Sequence, residues 1–404
     1  MGPRELRRAL SVALAAGILL VAGVAAAGTS FIPIPEIVTD PNEGNTFGLL
    51  GVVLFTDQND QIRYMLAPDA TYNKTKGFFP TFRFFGYPTN TRRYSIVAGK
   101  STTKDEDYEG EYLDRGLWDG RAFLRARAIY ERDSTERFFG FGNDSDEDRE
   151  SNYTGVNTLA EASPGAWLLP NVNVSYRMRI RRFATEKGQV SGIPALATEH
   201  PEVRGRGLET GVYWAHQVAL AYDSRDDYDI PTKGALALVY TEAADRALGS
   251  STSFVKFGGE VRKFQPLRQV WRFRPLLALR ALADYTSGDR ATPFWEQSSL
   301  GGRRTLRGFG SDRFIDFNRS LASAELRTGV YQRRLFGVNA ELEVSPFIET
   351  GQVFRHLSDS PVDSLHTVYG VGFRGVVRPQ IVGFVDIGRG SEGTAIFTGV
   401  NYPF

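Results

Sequence analysis

The sequence predicts an all-β protein, a transmembrane antiparallel β-barrel of about 16 strands, and three observations lead to this fold class. First, apolar side chains recur at every second position, as in the final run Ile396, Thr398, Val400, Tyr402 and Phe404. Second, the alternate positions are polar or charged, as in the run Asn173, Ser175, Arg177, Arg179 and Arg181. Third, few segments remain to cover either face, so the sheet must close with its apolar side in lipid and its polar side around a lumen.

The N-terminus predicts export. Three arginines among the first eight residues precede an apolar stretch over 9–24, and small residues end at Ala27. We therefore assign 1–27 to a signal peptide. An N-terminal membrane anchor is the alternative, disfavoured because the stretch is short, rich in Ala and Gly, and soon followed by Pro33 and Pro35.

Composition excludes several classes of protein. No later window holds the roughly 20 uninterrupted apolar residues that a membrane helix needs. The net charge is +1, and removing Arg4, Arg7, Arg8 and Glu5 changes it by −2 to about −1, so charge gives no indication of nucleic-acid binding. The absence of cysteine excludes disulfides, lipid attachment at a cysteine and thiolate metal sites. The mean hydropathy of −0.27 agrees with strands that expose only alternate residues to lipid.

The predicted barrel occupies 46–404, and a short periplasmic segment over 28–45 precedes it. The predicted strands lie near 46–56, 61–72, 78–87, 92–103, 120–132, 152–162, 168–182, 208–223, 234–244, 252–264, 270–286, 319–331, 338–350, 366–378, 380–388 and 394–404.

Loop length supports this barrel, because outer loops should be long and periplasmic turns short in strict alternation. Long polar segments over 133–151, 183–207, 288–318 and 354–365 follow odd-numbered predicted strands, and short links follow even-numbered ones. The exception is 104–119, a long polar stretch where a short turn is expected, so the register of the first strands stays open.

Alternation also predicts which residues face the lumen. On one strand Ala322, Ala324 and Leu326 take the lipid side, and the opposite side carries Ser323, Glu325, Arg327 and Gly329. A charge at the lipid midplane would cost about 2–4 kcal/mol, so we expect a highly charged lumen. For each such arginine a structural wall position is favoured over a contact with a substrate.

One loop carries a family signature. Leu306-Arg307-Gly308-Phe309 resembles the Val-Arg-Gly-Phe/Tyr motif in the sixth surface loop of the BamA/TamA group, the bacterial surface antigen superfamily of outer-membrane assembly and translocation barrels. Further segments match in the family's order: Tyr222–Asp226 with Pro231 and Gly234, Tyr369–Arg374, and the closing Phe404.

The resemblance implies a partner for the loop arginine. In the family it pairs with an acidic residue of a Phe-x-Asp-x-Gly motif on the inner wall, and this chain offers Phe347, Glu349 and Gly351, which alternation also places on the lumen side. We expect an Arg307–Glu349 pair, with Asp386 in a second motif of the same form as the alternative. Tyr402 and Phe404 are expected to form the C-terminal signal for barrel assembly.

No catalytic signature is present in the sequence. The four histidines are His200, His216, His356 and His366, and none lies in a recognisable Ser or Asp context. The sequence therefore predicts no enzyme, no cofactor and no metal site, with an outer-membrane phospholipase as a minor alternative.

The resemblance implies an integral protein of the bacterial outer membrane that assists insertion or translocation of polypeptide or lipid. We expect a member that consists of the barrel alone, without the periplasmic POTRA domains that capture clients in the large family members. Expected partners are outer-membrane lipid and lipopolysaccharide, the machinery that inserts the barrel itself, and a client polypeptide or a separate periplasmic protein.

The expected mechanism is opening of a weak seam between 46–56 and 394–404, where Gly48, Gly51 and Gly399 weaken pairing. The alternative function is a passive pore or structural barrel whose charged lumen is plugged by the Arg307 loop.

Overall fold

The computed structural model describes residues 28–59, 61–271, 273–288, 291–335, 338–359, 364–377, 381–400 and 402–404. The predicted signal peptide over 1–27 lies outside the described residues.

The described chain is almost entirely β-structure. Its strands are β1 (Gly28–Asp40), β2 (Gly44–Thr56), β3 (Ile62–Leu66), β4 (Asp69–Asn73), β5 (Gly77–Gly86), β6 (Arg92–Lys100), β7 (Glu106–Gly116), β8 (Ala122–Phe138), β9 (Ser151–Leu169), β10 (Val172–Lys187), β11 (Gly211–Asp223), β12 (Gly234–Ala244), β13 (Phe254–Pro266), β14 (Leu276–Gly288), β15 (Ser298–Leu300), β16 (Phe314–Asp316), β17 (Asn318–Leu335), β18 (Val338–Phe354), β19 (His366–Val377), β20 (Ile381–Gly390) and β21 (Gly393–Val400). Single helical turns lie at Leu117–Gly120, Glu147–Arg149, Leu196–Glu199, Pro201–Val203, Arg246–Leu248, Phe294–Glu296 and Leu357–Asp359. None of the helices in the described part of the chain is both long and apolar enough to cross a bilayer.

The strands close into an antiparallel barrel. Apart from β3 and β4, strands that follow one another around the ring pair with each other, β14 pairs with β17, and β21 returns to β1. Both β3 and β4 pair with β2 and β5, so they are two halves of one strand and the ring has 18 strands. The prediction of an all-β antiparallel barrel is confirmed. The remaining strands, β15 and β16, form a small hairpin of their own.

Two strands, β1 and β7, were not predicted from the sequence. They account for the difference between the 18 strands of the barrel and the expected number of about 16. The strand β1 occupies most of the segment 28–45, so its assignment to a periplasmic segment was wrong. The strand contains Pro33 and Pro35, and proline is tolerated in a strand whose N–H side lacks a full partner.

The other missed strand is β7, which lies in the polar stretch 104–119 that broke the loop-length rule. Glu109 and Glu111 of β7 face the lumen and meet arginines of β8: Glu109 lies 2.8 Å from Arg127 and Glu111 lies 2.9 Å from Arg125. Because Glu106 and Asp114 occupy the other face of β7, charged residues on both faces hid the alternation. With β1 and β7 in place, the four longest connections fall at the same end of the ring, although others at that end, such as 41–43 and 391–392, are short.

The connections give the barrel two different ends. The long segments 139–150, 188–210, 289–317 and 355–365 all leave the same end, which we call the loop end. The opposite end, the turn end, carries shorter connections such as 117–121 and 170–171. The aromatic side chains of the long loops pack together over the lumen, with ring centroids of Phe138 and Phe294 4.8 Å apart and those of Phe183 and Trp295 4.6 Å apart.

The two faces of the wall follow the predicted alternation. On β17 the residues Ser323, Glu325 and Arg327 are buried inside the barrel, and Leu326 is exposed on the outside. On β13 the outward residues Phe257 and Val261 are likewise exposed. These exposed apolar side chains form a band around the outside of the barrel. Only a lipid environment can shield such a band from water.

A charge on the outer face should therefore destabilise the barrel. Val261 lies near the middle of β13 and points outward, so Val261→Arg should lower the free energy of unfolding by about 2–4 kcal/mol in a bilayer. The measurement is a urea titration of the barrel in lipid vesicles, followed by tryptophan fluorescence. The control Val261→Leu should unfold as the native protein does, and equal stability of the Arg variant would contradict the lipid-facing assignment.

Candidate functional site

The loop segment 301–313 folds back into the barrel through tight turns. Gly301 and Gly302 have φ values of 117° and 91°, and a Cβ on Gly301 would lie 2.2 Å from the carbonyl oxygen of Gly310. Leu306 also has a positive φ of 47°, a strained conformation for a residue with a side chain. This strain is stored at the position that directly precedes Arg307.

The backbone of the loop tip lies against β20. A Cβ on Gly308 would approach the main-chain nitrogen of Gly390 to 2.5 Å, and a Cβ on Gly388 would approach the carbonyl oxygen of Arg307 to 2.2 Å. Glycine at 308 and 388 therefore permits the loop and the wall to touch. Gly351 is similarly required, because its Cβ would lie 2.7 Å from the carbonyl oxygen of Ser320.

Arg307 is completely buried and contacts both carboxylates that the sequence analysis named. Its main-chain N–H donates to Glu349 Oε2 at 2.7 Å and its Nε donates to Glu349 Oε1 at 3.0 Å. Its Nη1 donates to Asp386 Oδ2 at 2.7 Å. The guanidinium also lies over the ring of Phe347, 3.7 Å from the centroid. Glu349 and Asp386 thus act together rather than as alternatives.

A third carboxylate, which the sequence analysis treated only as a wall residue, completes the site. Glu325 Oε1 lies 2.7 Å from Arg307 Nη1, and Glu325 also accepts from Arg374 at 3.0 Å and from Arg327 at 2.9 Å. Alternation placed Glu325 on the lumen face, but no local pattern linked it to a loop almost 20 residues away. Its partners come from three different segments of the chain.

These groups form one buried ionic network, which consists of Arg307, Arg327, Arg374, Glu325, Glu343, Glu349 and Asp386. Three cations face four carboxylates, and all seven side chains are buried. Charged groups survive at such depth only when they neutralise one another, so each member depends on the rest.

Apolar side chains seal the network on the loop side. Leu306 and Phe309 are buried with Phe314 and Phe347, and the rings of Phe309 and Phe314 meet at 5.1 Å in an edge-to-face arrangement. The signature segment therefore anchors the loop through two apolar residues and one cation.

The C-terminal aromatics lie inside the barrel. The predicted strand over 394–404 ends at Val400, and Tyr402 and Phe404 turn into the lumen. Tyr402 donates to Glu343 at 3.1 Å, and Arg327 donates to the main-chain oxygen of Phe404 at 3.2 Å. The predicted strand end was wrong because these ionic partners withdraw the tail from the wall. The role of the two aromatics in barrel assembly remains a prediction.

No group of three or more acidic or histidine side chains in the described ranges is arranged to hold a metal ion. Two of the histidines contact aromatic side chains: His366 stacks on Phe314 with centroids 3.8 Å apart, and a ring nitrogen of His216 lies 2.5 Å from the hydroxyl of Tyr176.

The inserted loop and its acidic wall partners can be compared with known families. The family model described as the Omp85 superfamily domain matches residues 74–374. The chain belongs to the Omp85 superfamily. This confirms the resemblance to the BamA/TamA group drawn from the loop signature. No POTRA domain is present among the described residues, which form barrel strands and their connections.

Two solved structures are similar to this chain, and the first of them shows the same fold. The crystal structure of BamA from Haemophilus ducreyi lacking POTRA domains 1–3 is 13% identical, with 96% of this chain and 77% of that chain covered at a TM-score of 0.54. CdiB from Acinetobacter baumannii is 8% identical, with 92% of this chain and 59% of that chain covered at a TM-score of 0.47. Comparison with curated proteins gives no match.

Loss of the loop cation should release the loop of this Omp85 barrel. Arg307→Met leaves Glu325, Glu349 and Asp386 buried without their shared cation, which should weaken loop docking by about 3–5 kcal/mol. Phe309 should then become accessible to chymotrypsin, measured by mapping the cleavage products. The control is Arg304→Met, because Arg304 is exposed and forms no ion pair among the described residues. Continued protection of Phe309 in the Arg307 variant would refute the anchoring role of the network.

Proposed function

We propose that this protein assists insertion or translocation of polypeptide or lipid at the bacterial outer membrane, by opening its wall between β1 and β21. The observation that carries the proposal is the pairing at this seam. Among the described residues, β1 and β21 share one residue pair, Thr39 with Ile396. In contrast, β1 pairs with β2 along its entire length, from Gly28 with Thr56 to Asp40 with Gly44.

The seam lies one strand earlier than the sequence analysis placed it. The segment 46–56 belongs to β2, which has full partners on both sides, so Gly48 and Gly51 do not weaken the seam. Only Gly399 of the three glycines lies on a seam strand. The strand that meets β21 is β1.

Two prolines explain why β1 offers a poor edge to β21. Pro33 lies opposite Gly51 of β2, and the N–H of Gly51 donates away from β1, to the carbonyl oxygen of Pro68 at 2.9 Å. Pro33 and Gly51 therefore form a non-hydrogen-bonded pair, in which the main-chain groups of Pro33 point towards the seam. Pro35, two residues further on, has the same orientation. Both positions lack the N–H that a ladder with β21 would need.

A strand edge with open acceptors can accept another strand by β-augmentation. The carbonyl groups of β1 near Pro33 and Pro35 supply such acceptors beside a last strand that ends early. A client strand could add to β1 at lower cost than at any junction where two strands are fully paired. This supports a role in membrane insertion rather than in permanent structural closure.

The inserted loop closes the seam at the loop end. Asn42, in the turn between β1 and β2, donates its side-chain amide to the carbonyl oxygen of Ser311 at 2.9 Å. On the other side Arg313 forms a bidentate pair with Glu392, in the turn between β20 and β21, at 2.7 and 2.8 Å. The loop thus bridges the first and last hairpins and would hold the seam closed until a client arrives.

The proposed partners follow from this mechanism. They are a client polypeptide or lipid at the seam, outer-membrane lipid and lipopolysaccharide around the wall, a separate periplasmic protein that delivers the client, and the assembly machinery that inserts the barrel. The work is proposed to be non-enzymatic, since strand exchange requires no covalent chemistry.

A covalent lock across the seam tests the proposal. The chain has no cysteine, so Thr39→Cys with Ile396→Cys forms a unique disulfide between the paired positions. We expect the oxidised protein in vesicles to lose its ability to promote folding of an added outer-membrane barrel, measured by heat-modifiable gel mobility, and to regain it on reduction. The matched control joins Leu220→Cys and Val239→Cys, an outward-facing pair between β11 and β12, and should stay active. An active locked seam would contradict the mechanism.

Conductance separates this function from a passive pore. Because the inserted loop, the aromatic loop residues and the C-terminal tail occupy the lumen, the native protein should show only small, brief events in planar bilayers. The variant Arg307→Met should show larger conductance events, because its loop is no longer held in the lumen. Large and stable channels in the native protein would favour the pore instead.

A further inference from the structure

A second charged site lies in the lumen, away from the Arg307 network. Three consecutive inward positions of β10 are arginines, and they line a cavity of about 230 Å³ beneath the loop segment 295–297. The remaining wall comes from β12, β13, β14 and β17. The charged residues around the cavity are Arg177, Arg179, Arg181, Lys256, Arg319, Glu242, Asp284 and Glu296.

The carboxylates of this cavity are already committed to arginines. Glu242 lies 2.6 Å from Arg177 and 3.0 Å from Arg179. Glu296 lies 2.7 Å from Arg179 and 3.1 Å from Arg181. Burial alone would raise the pKa of Glu296, but Arg179 and Arg181 hold it at about 2, so this loop carboxylate stays ionised.

The third carboxylate is committed in the same way. Asp284 lies 2.6 Å from Arg319 and accepts the hydroxyl of Tyr240 at 2.5 Å. The lining residues therefore comprise five cations and three carboxylates, which leaves an excess charge of +2. Adding Glu161, which lies 3.9 Å from Arg177 outside the lining, still leaves one cation in excess.

Lys256 is the cation without a carboxylate. Its ammonium group donates to the main-chain carbonyl oxygen of Glu296 at 3.1 Å and forms no ion pair among the described residues. An ammonium group has three N–H donors, so two remain for a ligand. The Nε atoms of Arg177 and Arg179 are also buried without a hydrogen-bond partner in the described structure. Unused donors thus border the cavity on two sides.

We propose that this cavity is a binding site for a tetrahedral oxyanion of the phosphate class, held by Lys256 and the β10 arginines. Phosphate offers several strong acceptors and up to two negative charges, which match the unused donors and the excess charge. The volume holds several waters at about 30 Å³ each, so a phosphate group fits with part of its hydration shell. The proposal does not depend on opening of the seam.

The position of the cavity predicts the source of the phosphate. The wall of β10 to β14 separates the lining residues from surrounding lipid, so the ligand must arrive through the lumen as inorganic phosphate or a soluble phosphate monoester. A phosphate head group in the surrounding bilayer has no access.

Binding of inorganic phosphate to the full barrel in detergent, measured by isothermal titration calorimetry, tests the site. Lys256→Met should weaken binding about tenfold or more, the scale of one charge-assisted hydrogen bond. Glu242→Gln should tighten it several-fold, because Arg177 and Arg179 lose their shared carboxylate. Lys263→Met removes the same charge from an exposed position of β13 and should change nothing. Heat-modifiable gel mobility establishes that each variant is folded.

Three outcomes would overturn the site: no phosphate binding by the native protein, equal binding by the Lys256 and Lys263 variants, or weaker binding by Glu242→Gln. Glycerol 3-phosphate should compete with inorganic phosphate. Vesicles that contain phosphatidic acid should not, and competition by the lipid would place the binding on the outer surface instead.

Discussion

One guanidinium group, shared by three carboxylates inside the ring, holds the loop and the wall together. Arg307 comes from the loop end, whereas Glu325, Glu349 and Asp386 come from β17, β18 and β20. None of the four could remain ionised at this depth alone, because the loss of hydration would not be recovered. The loop must therefore insert for the carboxylates of β17, β18 and β20 to stay ionised. In turn, these strands must pair in the correct register for the loop to bind.

The same loop also carries charges that suit two opposite regions of the lumen. Arg303 borders a cavity of about 470 Å³ whose charged lining residues are mainly acidic and include Asp107, Glu131 and Asp133. Glu296, seven residues earlier in the same loop, enters the basic cavity against β10. Arg303 and Glu296 thus each meet surroundings of the opposite charge, whereas Asp312 of the loop lies among the other carboxylates of the first cavity. This pattern would oppose rotation of the loop within the barrel, since a rotated loop would place like charges together.

The alternation of apolar and polar residues made the fold class and the faces of most strands predictable from sequence. It failed where ion pairs with another segment of the chain decide the position of a residue. The strand β7 was hidden because its acidic residues resemble a solvated loop until Arg125 and Arg127 of β8 are placed beside them. The loop signature led to Arg307, Glu349 and Asp386, which a family motif connects. Glu325 and Arg374 were predictable as inward-facing residues only, because their meeting depends on strand tilt and stagger around the ring.

The seam and the ionic network are linked through the last residues of the chain. The pair Thr39 with Ile396 sets a register in which Val400, four residues on, would lie opposite Pro35, four residues back. Beyond that point the tail leaves the wall, and Phe404 binds Arg327 on β17. The contacts of Tyr402 and Phe404 with the buried ionic network thus draw the C-terminal residues away from β1. These residues would otherwise extend the hydrogen-bonded pairing of β21 with β1. The proposed opening of the seam would therefore break one residue pair among the described residues and the loop contacts at Asn42 and Glu392, and it would leave the buried charges paired.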